Sequence, residues 1–215
     1  MDPHSALPLL VPLPRPATGS ATRVALGRHE VVLEAVRGGY ALLWTDGKTA
    51  RRHVLALPAN GHLTVQLRAP RATVHVATRD VMVLLPGARC HGFVQVPLIP
   101  TIVWHDAAAV SHVVVELRPA ELAAEWDEEH GHTLHCSSAW HTRFPLRADD
   151  PRVVVALHLR NCGRETLSPA SLPITVSDDE LLHKRGSIVV RPRRLWWNGR
   201  WQEVRATGRV LGVPA

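Results

Sequence analysis

The sequence predicts an all-β protein, antiparallel and β-sandwich-like, with one or two short helices. It is rich in valine, and from Thr22 onward short segments of alternating apolar and polar residues are separated by Gly, Pro, Asp or Asn. Beta-branched residues favour strands, and alternation with a period of two is typical of a strand that buries one face. A chain of 215 residues can bury roughly 70% of its unfolded surface, so its core needs neither disulfides nor metal.

The chain is expected to have three parts. Residues 1–20 are rich in proline and predict an extended, polyproline-like arm, because proline fixes φ and interrupts helices. Residues 21–100 are expected to form an N-terminal β half. Residues 101–215 are expected to form a C-terminal β-sandwich half that ends in a tryptophan-rich hairpin.

Strands of the first half are predicted from alternation and turn residues. HEVVLEAV and YALLWT predict a hairpin in which Gly38 and Gly39 supply positive φ. HLTVQLR, residues 62–68, alternates between an apolar face and a polar face. The run GFVQVPLIPTIVW contains Pro97 and Pro100, and proline confines such a run to a sheet edge or to a strand that crosses between sheets.

Two segments of the second half predict short helices. PAELAAEWDEEHG, residues 119–131, begins with proline, places two apolar side chains four apart and ends in glycine. SDDELLHKRG, residues 177–186, contains a capping box formed by Ser177 and Glu180. Between these segments, VVVALHLRN predicts a core strand that ends in a turn at Asn161.

The strongest local prediction is a hairpin in RRLWWNGRWQE, because Asn198-Gly199 favours a two-residue type I′ turn. That turn pairs Trp196 with Trp201 across the strands. One interpretation is an aromatic and basic platform for a nucleic acid or a sugar; the other, which we favour, is a stapled hairpin that covers a sheet edge. The candidate binding residues are Arg193, Arg194, Trp196 and Trp201.

Charge and cysteine content narrow the classes of partner and compartment. The formal net charge is +6 and the pI is about 10.2, but the arginines are scattered along the sequence, so we expect no nucleic-acid partner. No apolar run reaches the roughly 18 residues of a membrane span. Three cysteines without a C-x-x-C spacing argue against a disulfide framework, so we expect a cytoplasmic protein.

The segment HGHTLHCSSAWH, residues 130–141, is the only candidate metal site in the sequence. Imidazole and thiolate are good ligands for zinc or iron, and alternate strand residues share a face. A further ligand could come from His105, Asp106 or His112. The spacing is not an established ligand pattern, and histidines elsewhere occupy polar strand faces, so we favour a structural face over a metal centre. The candidate ligands are His130, His132, Cys136 and His141.

Three segments carry a resemblance to an uncharacterised prokaryotic family, domain-of-unknown-function family 432. They are LPGARCHGFVQVPLIPTIVW, the stretch from Gly131 to Trp140, and VVVALHLRNCGRETLSPASLPI with its turn at Asn161. The resemblance covers roughly residues 60–190 and lies in the order of segments more than in identities. It implies a single β-rich module and no functional residues.

These observations favour a non-catalytic binding protein that acts on a protein partner or by self-assembly, with no cofactor expected. The proline-rich arm and the strand from Phe93 to Trp104 are the predicted contact surfaces, because arms and sheet edges add to other chains. The alternative is a metal-binding protein or metal-dependent enzyme that uses zinc or iron at residues 130–141.

Overall fold

The all-β prediction is confirmed by a computed structural model of the chain. The structure describes residues 8–58, 60–127, 131–145, 150–184 and 186–204, excluding the side chains of residues 126, 127, 131 and 132. The first nine strands are β1 (Leu10–Leu13), β2 (Ala21–Leu26), β3 (His29–Val36), β4 (Gly39–Thr45), β5 (Ala50–Leu55), β6 (His62–Arg68), β7 (Val74–Thr78), β8 (Arg89–Pro97) and β9 (Ile99–His105). The others are β10 (Ser111–Glu116), β11 (Ala123–Asp127), β12 (Gly131–Ser138), β13 (Arg152–Asn161), β14 (Leu172–Ile174), β15 (Leu182–Lys184), β16 (Ser187–Val189), β17 (Arg193–Trp197) and β18 (Trp201–Glu203).

The chain forms two compact units, and neither is a continuous half of the sequence. Unit 1 comprises Met1–Ala69, Pro97–Ala120 and Ala148–Pro151, and unit 2 comprises Pro70–Val96, Glu121–Arg147 and Arg152–Ala215. The run with two prolines is divided between β8 and β9, so the chain passes from unit 2 to unit 1 at Pro97. Proline interrupts the ladder there, as the crossing-strand prediction requires.

Unit 1 contains two four-stranded antiparallel sheets, ordered β1-β6-β9-β10 and β2-β3-β4-β5. The alternation predicted for residues 62–68 is confirmed, because Leu63, Val65 and Leu67 are buried. The described part of the arm adds β1 to this unit by pairing with β6. Strand β9 pairs with β6 on one side and β10 on the other, so it is not a free sheet edge.

Unit 2 contains the sheet β11-β12-β7-β14 and a six-stranded sheet ordered β15-β16-β13-β17-β18, in which β8 also pairs with β13. Among the described residues, β12 pairs in parallel with β7, and β13 pairs in parallel with both β16 and β17. Long connections permit them, since a parallel pair needs a crossover. The odd-numbered apolar residues of β13 line the core as the alternation predicts. Val154 is buried as well.

The helix expected at residues 119–131 is a wrong prediction. Residues Ala123–Asp127 form β11, which pairs antiparallel with β12, and this pairing outweighs the weak helical propensity of a short segment. The predicted pairing of Ser177 with Glu180 forms. The backbone N–H and the hydroxyl of Ser177 both donate to Glu180 Oε2, at 3.3 and 3.0 Å, and the Glu180 N–H donates to Ser177 O at 3.2 Å. This pairing begins only one 3-10 turn, Asp178–Glu180.

Both predicted hairpins form, but their turns differ in detail from the predictions. Val36 pairs with Gly39, so the first turn is Arg37-Gly38, and only Gly38 has positive φ, at 81°. Gly39 is needed for space, since a Cβ there would lie 2.5 Å from the carbonyl oxygen of Leu55.

None of the described residues forms a helix with the length and apolarity that a membrane crossing requires.

Candidate functional site

The terminal hairpin has a three-residue loop, which corrects the register predicted for its tryptophans. Trp197, not Trp196, pairs with Trp201, and the two indoles form a T-shaped contact with centroids 5.4 Å apart. Asn198 N–H donates to Arg200 O at 3.1 Å across the loop, and Gly199 has a φ of 79°. Adding one loop residue moves each strand partner by one position and therefore exchanges the two faces.

Arg193 anchors this hairpin through two carboxylates and a backbone carbonyl oxygen. Its guanidinium pairs with Glu180 and, at 3.2 Å, with Glu203, and it donates to Thr175 O at 3.0 Å. The ion pair within the hairpin therefore joins Arg193 to Glu203. Burial raises the pKa of Glu180, but the hydrogen bonds from Arg193 and Ser177 and the charge of Arg193 together lower it by more. The net pKa therefore lies below its usual value.

Beside the hairpin, unit 2 contains a cavity of about 960 Å³, which we call the tryptophan cavity. This volume is typical of binding pockets. The loop before β14 supplies proline and serine side chains, and the hairpin supplies two indole rings and a guanidinium. The cavity is lined by Ala72, Thr73, His75, Thr133, Leu167, Ser168, Pro169, Ala170, Ser171, Pro173, Trp197, Gly199, Arg200 and Trp201.

Polar groups of the tryptophan cavity are hydrogen-bonded within the protein. Ser171 Oγ lies 3.4 Å from His75 Nδ1, and His75 stacks on His135 with ring centroids 5.2 Å apart. Thr133 Oγ1 lies 3.1 Å from His135 Nε2. A hydroxyl 3.4 Å from an imidazole nitrogen is beyond the roughly 2.6–3.2 Å of general-base geometry.

An exposed apolar segment is joined to the cavity through one of its lining residues. Val81, Val83 and Leu85 are 86%, 58% and 62% exposed, and we call these three side chains the apolar ridge. Leu84, between them, is buried and forms an antiparallel bridge with Leu167, with backbone hydrogen bonds of 2.8 and 2.9 Å. Contiguous exposed apolar side chains of this kind mark interaction surfaces.

Asn161 fixes the backbone of the segment that carries the ridge. This fully buried side chain donates to Leu84 O at 2.9 Å and to Glu165 O at 2.7 Å, and it accepts from Gly163 N at 2.9 Å. The predicted turn at Asn161 is thus confirmed, and its amide satisfies three backbone groups. Because a buried amide with these partners cannot be replaced without orphaning them, the ridge has a defined conformation.

The four candidate metal ligands are not gathered into a site in the described part of the chain. His130 lies outside the described residues, and only the backbone of His132 is described, in β12. Cys136 is buried, and burial raises the pKa of its thiol to about 11. His141 forms a backbone bridge with Phe93. No group of three or more potential ligands occurs among the described residues, and the metal hypothesis stays a prediction.

The four candidate binding residues lie on both faces of the hairpin. Trp201 lines the tryptophan cavity, while Arg193 holds the hairpin through its carboxylate partners. Arg194 and Trp196 lie on the other face of the hairpin, where their register partners on β13 are His158 and Arg160. The sequence did not identify Trp197 because the hairpin loop is one residue longer than predicted. It did not identify His75 and Ser171 because they are distant from the hairpin in sequence and meet it only in the fold.

The comparisons with known proteins assign no family. No family model, no curated protein and no solved structure matches this chain. The resemblance to domain-of-unknown-function family 432 therefore stays a prediction, and functional inference depends on the geometry of the chain.

Proposed function

We propose that this chain is a non-catalytic binding protein that holds an extended, apolar, proline-containing segment of a protein partner in the tryptophan cavity. The observation that supports the proposal is the continuity of this cavity with the apolar ridge through the bridge between Leu84 and Leu167. A bound segment would therefore place one part against the paired indoles of Trp197 and Trp201 and the next along Val83.

The chemistry of the two surfaces favours a peptide over a sugar. Polyproline segments dock in aromatic-lined grooves because their backbone is already extended and loses little entropy on binding. A sugar would use the aromatic rings and hydroxyls of the cavity but would gain nothing from the neighbouring apolar ridge, which is suited to the apolar side chains of a peptide. Hydroxyl and imidazole groups at the cavity wall are the few polar groups that orient such a ligand.

The proposal is tested by titrating the protein with short synthetic peptides and following tryptophan fluorescence and heat of binding. Proline-containing apolar peptides are expected to bind with a Kd of about 1–100 μM, and glycine-serine peptides are expected not to bind. Trp201→Ala should weaken binding about tenfold or more, as is typical of a buried aromatic contact. Val83→Asp should weaken it severalfold. Val54→Asp should not, because it alters a valine of unit 1 that is 70% exposed, compared with 58% for Val83.

Three results would change the proposal. Binding of oligosaccharides without binding of peptides would assign the cavity to a sugar. Unchanged affinity in both Trp201→Ala and Val83→Asp would remove the cavity and the ridge from the binding surface. A dimer in light scattering that both substitutions abolish would identify the bound segment as part of a second copy.

A further inference from the structure

The outer face of the six-stranded sheet gathers cationic side chains that are far apart in the sequence. His158 lies opposite Arg194, and Arg160 lies opposite Trp196, in the parallel pairing of β13 with β17. On β8, His91 reaches His158, with their Nδ1 atoms 2.7 Å apart. Strand alternation places Arg89 on the same face as His91. We call this surface the basic face, formed by Arg89, His91, His158, Arg160, Arg194 and Trp196.

The charges of the basic face select an anion and not a metal ion. The two imidazoles share a hydrogen bond, so at least one of them is neutral. Burial, then the charge of His91, then that of Arg194 lower the pKa of His158, and a guanidinium beside the pair repels a cation in the same way. The residues opposite Arg194 and Trp196 in the strand pairing, which are His158, Arg160 and Gln202, include no carboxylate.

Trp196 gives this face an aromatic surface among the cations. The guanidinium carbon of Arg160 lies 5.5 Å from the centroid of its ring, and the indole is partly exposed. Arg160 Nε is buried and has no hydrogen-bond partner among the described residues, so a phosphate would contact the terminal nitrogens of its guanidinium. Guanidinium groups bind phosphodiester oxygens, and exposed aromatic rings stack on unpaired bases; together they are the elements of a single-strand binding surface.

We propose that the basic face binds a single-stranded nucleic acid, with phosphates on Arg89, Arg160 and Arg194 and one base stacked on Trp196. The scattered arginines argue against such a partner in the sequence, but strand pairing brings three of them to one face. This surface is distinct from the tryptophan cavity, because Trp196 and Trp201 lie on opposite faces of the hairpin. The two proposals can therefore fail independently.

The test is fluorescence anisotropy of a labelled oligothymidylate with the full chain at low salt. If three phosphates are neutralised, the logarithm of affinity should fall with the logarithm of salt with a slope of about −2, or about 20-fold between roughly 50 and 200 mM. Trp196→Ala should weaken binding about 5- to 100-fold. Trp201→Ala is its matched control on the other face and should bind the oligonucleotide like the unmodified protein.

Charge is separated from stacking by a second pair of variants. Arg160→Ala should lower the affinity and reduce the salt slope by about 0.7, the contribution of one phosphate. Arg194→Gln, at an exposed position, should have the same effect. Arg52→Ala, which removes an equal charge from an exposed position of unit 1, should have no effect. The proposal would be overturned if the oligonucleotide did not bind at low salt. It would also be overturned if heparin bound as tightly as the oligonucleotide and Trp196→Ala weakened neither interaction.

Discussion

Asp46 is the residue whose removal we expect to destabilise unit 1 most clearly. It is buried at 2% exposure, and Oδ1 accepts from the backbone amides of Lys48 and Thr49 at 2.9 and 2.7 Å. Oδ2 accepts from the amide of Ala120 at 3.0 Å, which ties the β4–β5 turn to a segment 74 residues away. Asp46→Asn keeps one acceptor oxygen but turns an NH₂ group toward the Ala120 amide.

The magnitude follows from these bonds. A hydrogen bond to a charged group contributes about 1.5–3 kcal/mol, and the loss of the bond to Ala120 comes with weakening of the others. We therefore expect Asp46→Asn to lower the free energy of unfolding by about 2–4 kcal/mol at neutral pH. Asp46→Ala, which leaves several amides without an acceptor, should cost more.

The pH dependence gives a second, independent signature. Burial raises the pKa of Asp46, but the hydrogen bonds from Ala120, Thr49 and Lys48 together lower it by more. The net pKa therefore lies well below its usual value. Because the pKa is depressed in the folded state, the stabilisation is present above the unfolded pKa of about 4 and is lost as pH falls toward the folded value. The difference in unfolding free energy between the unmodified protein and the Asp46→Asn variant should therefore be constant from about pH 6 to 8 and shrink below about pH 4.

Urea unfolding followed by circular dichroism at several pH values measures this difference. Asp106→Asn is the matched control, because Asp106 also accepts from turn amides, at 2.9 and 2.8 Å, but its side chain is 36% exposed. It should cost no more than about 1 kcal/mol, since water can replace the lost acceptor. A cost below about 0.5 kcal/mol for Asp46→Asn, or an equal cost in acid and at neutral pH, would refute the reasoning.

Three further predictions concern the hairpin and the metal hypothesis. Gly199→Val should lower the free energy of unfolding by about 1–2 kcal/mol because a branched side chain resists a φ of 79° although nothing lies within 4 Å of its Cβ; an unchanged melting curve would contradict this geometry. Arg193→Gln should loosen the hairpin and weaken peptide binding at the tryptophan cavity, and a fully retained affinity would show that its ion pairs are dispensable. Elemental analysis of untagged protein should find less than one zinc or iron per chain, whereas a stoichiometric metal that is lost in Cys136→Ala would favour the metal-binding alternative.

Local sequence patterns predicted which segments are strands better than they predicted which strands pair with one another. The alternation in residues 62–68 and 153–159 identifies the buried faces because a period of two is a property of the strand itself. The segment 119–131 has a helical pattern of comparable strength, yet five of its residues join β12 as a strand. Short segments carry little helical free energy of their own, so pairing with a neighbouring strand decides their structure.

The terminal hairpin shows how a small local difference changes a site. Asn198-Gly199 correctly predicts a tight turn with positive φ at glycine, but the loop includes Arg200. That single residue places Trp197 on the same face as Trp201 and leaves Trp196 on the face of Arg160 and Arg194. Sequence alone could not choose between loop lengths, because both fit the same turn residues.

The sequence by itself determined the fold class, the buried faces of its clearest strands, and the turns at Gly38, Asn161 and Gly199, because each depends on neighbouring residues and backbone dihedral angles. Tertiary structure alone decided the membership of each unit and the parallel pairings. It also decided the surfaces on which the functional proposals depend, since His91, His158 and Arg194 meet only through strand pairing, as do His75 and Trp201 in the wall of one cavity. The free energy of these contacts comes from burial and register between distant segments, and no local pattern records which distant segments will pair.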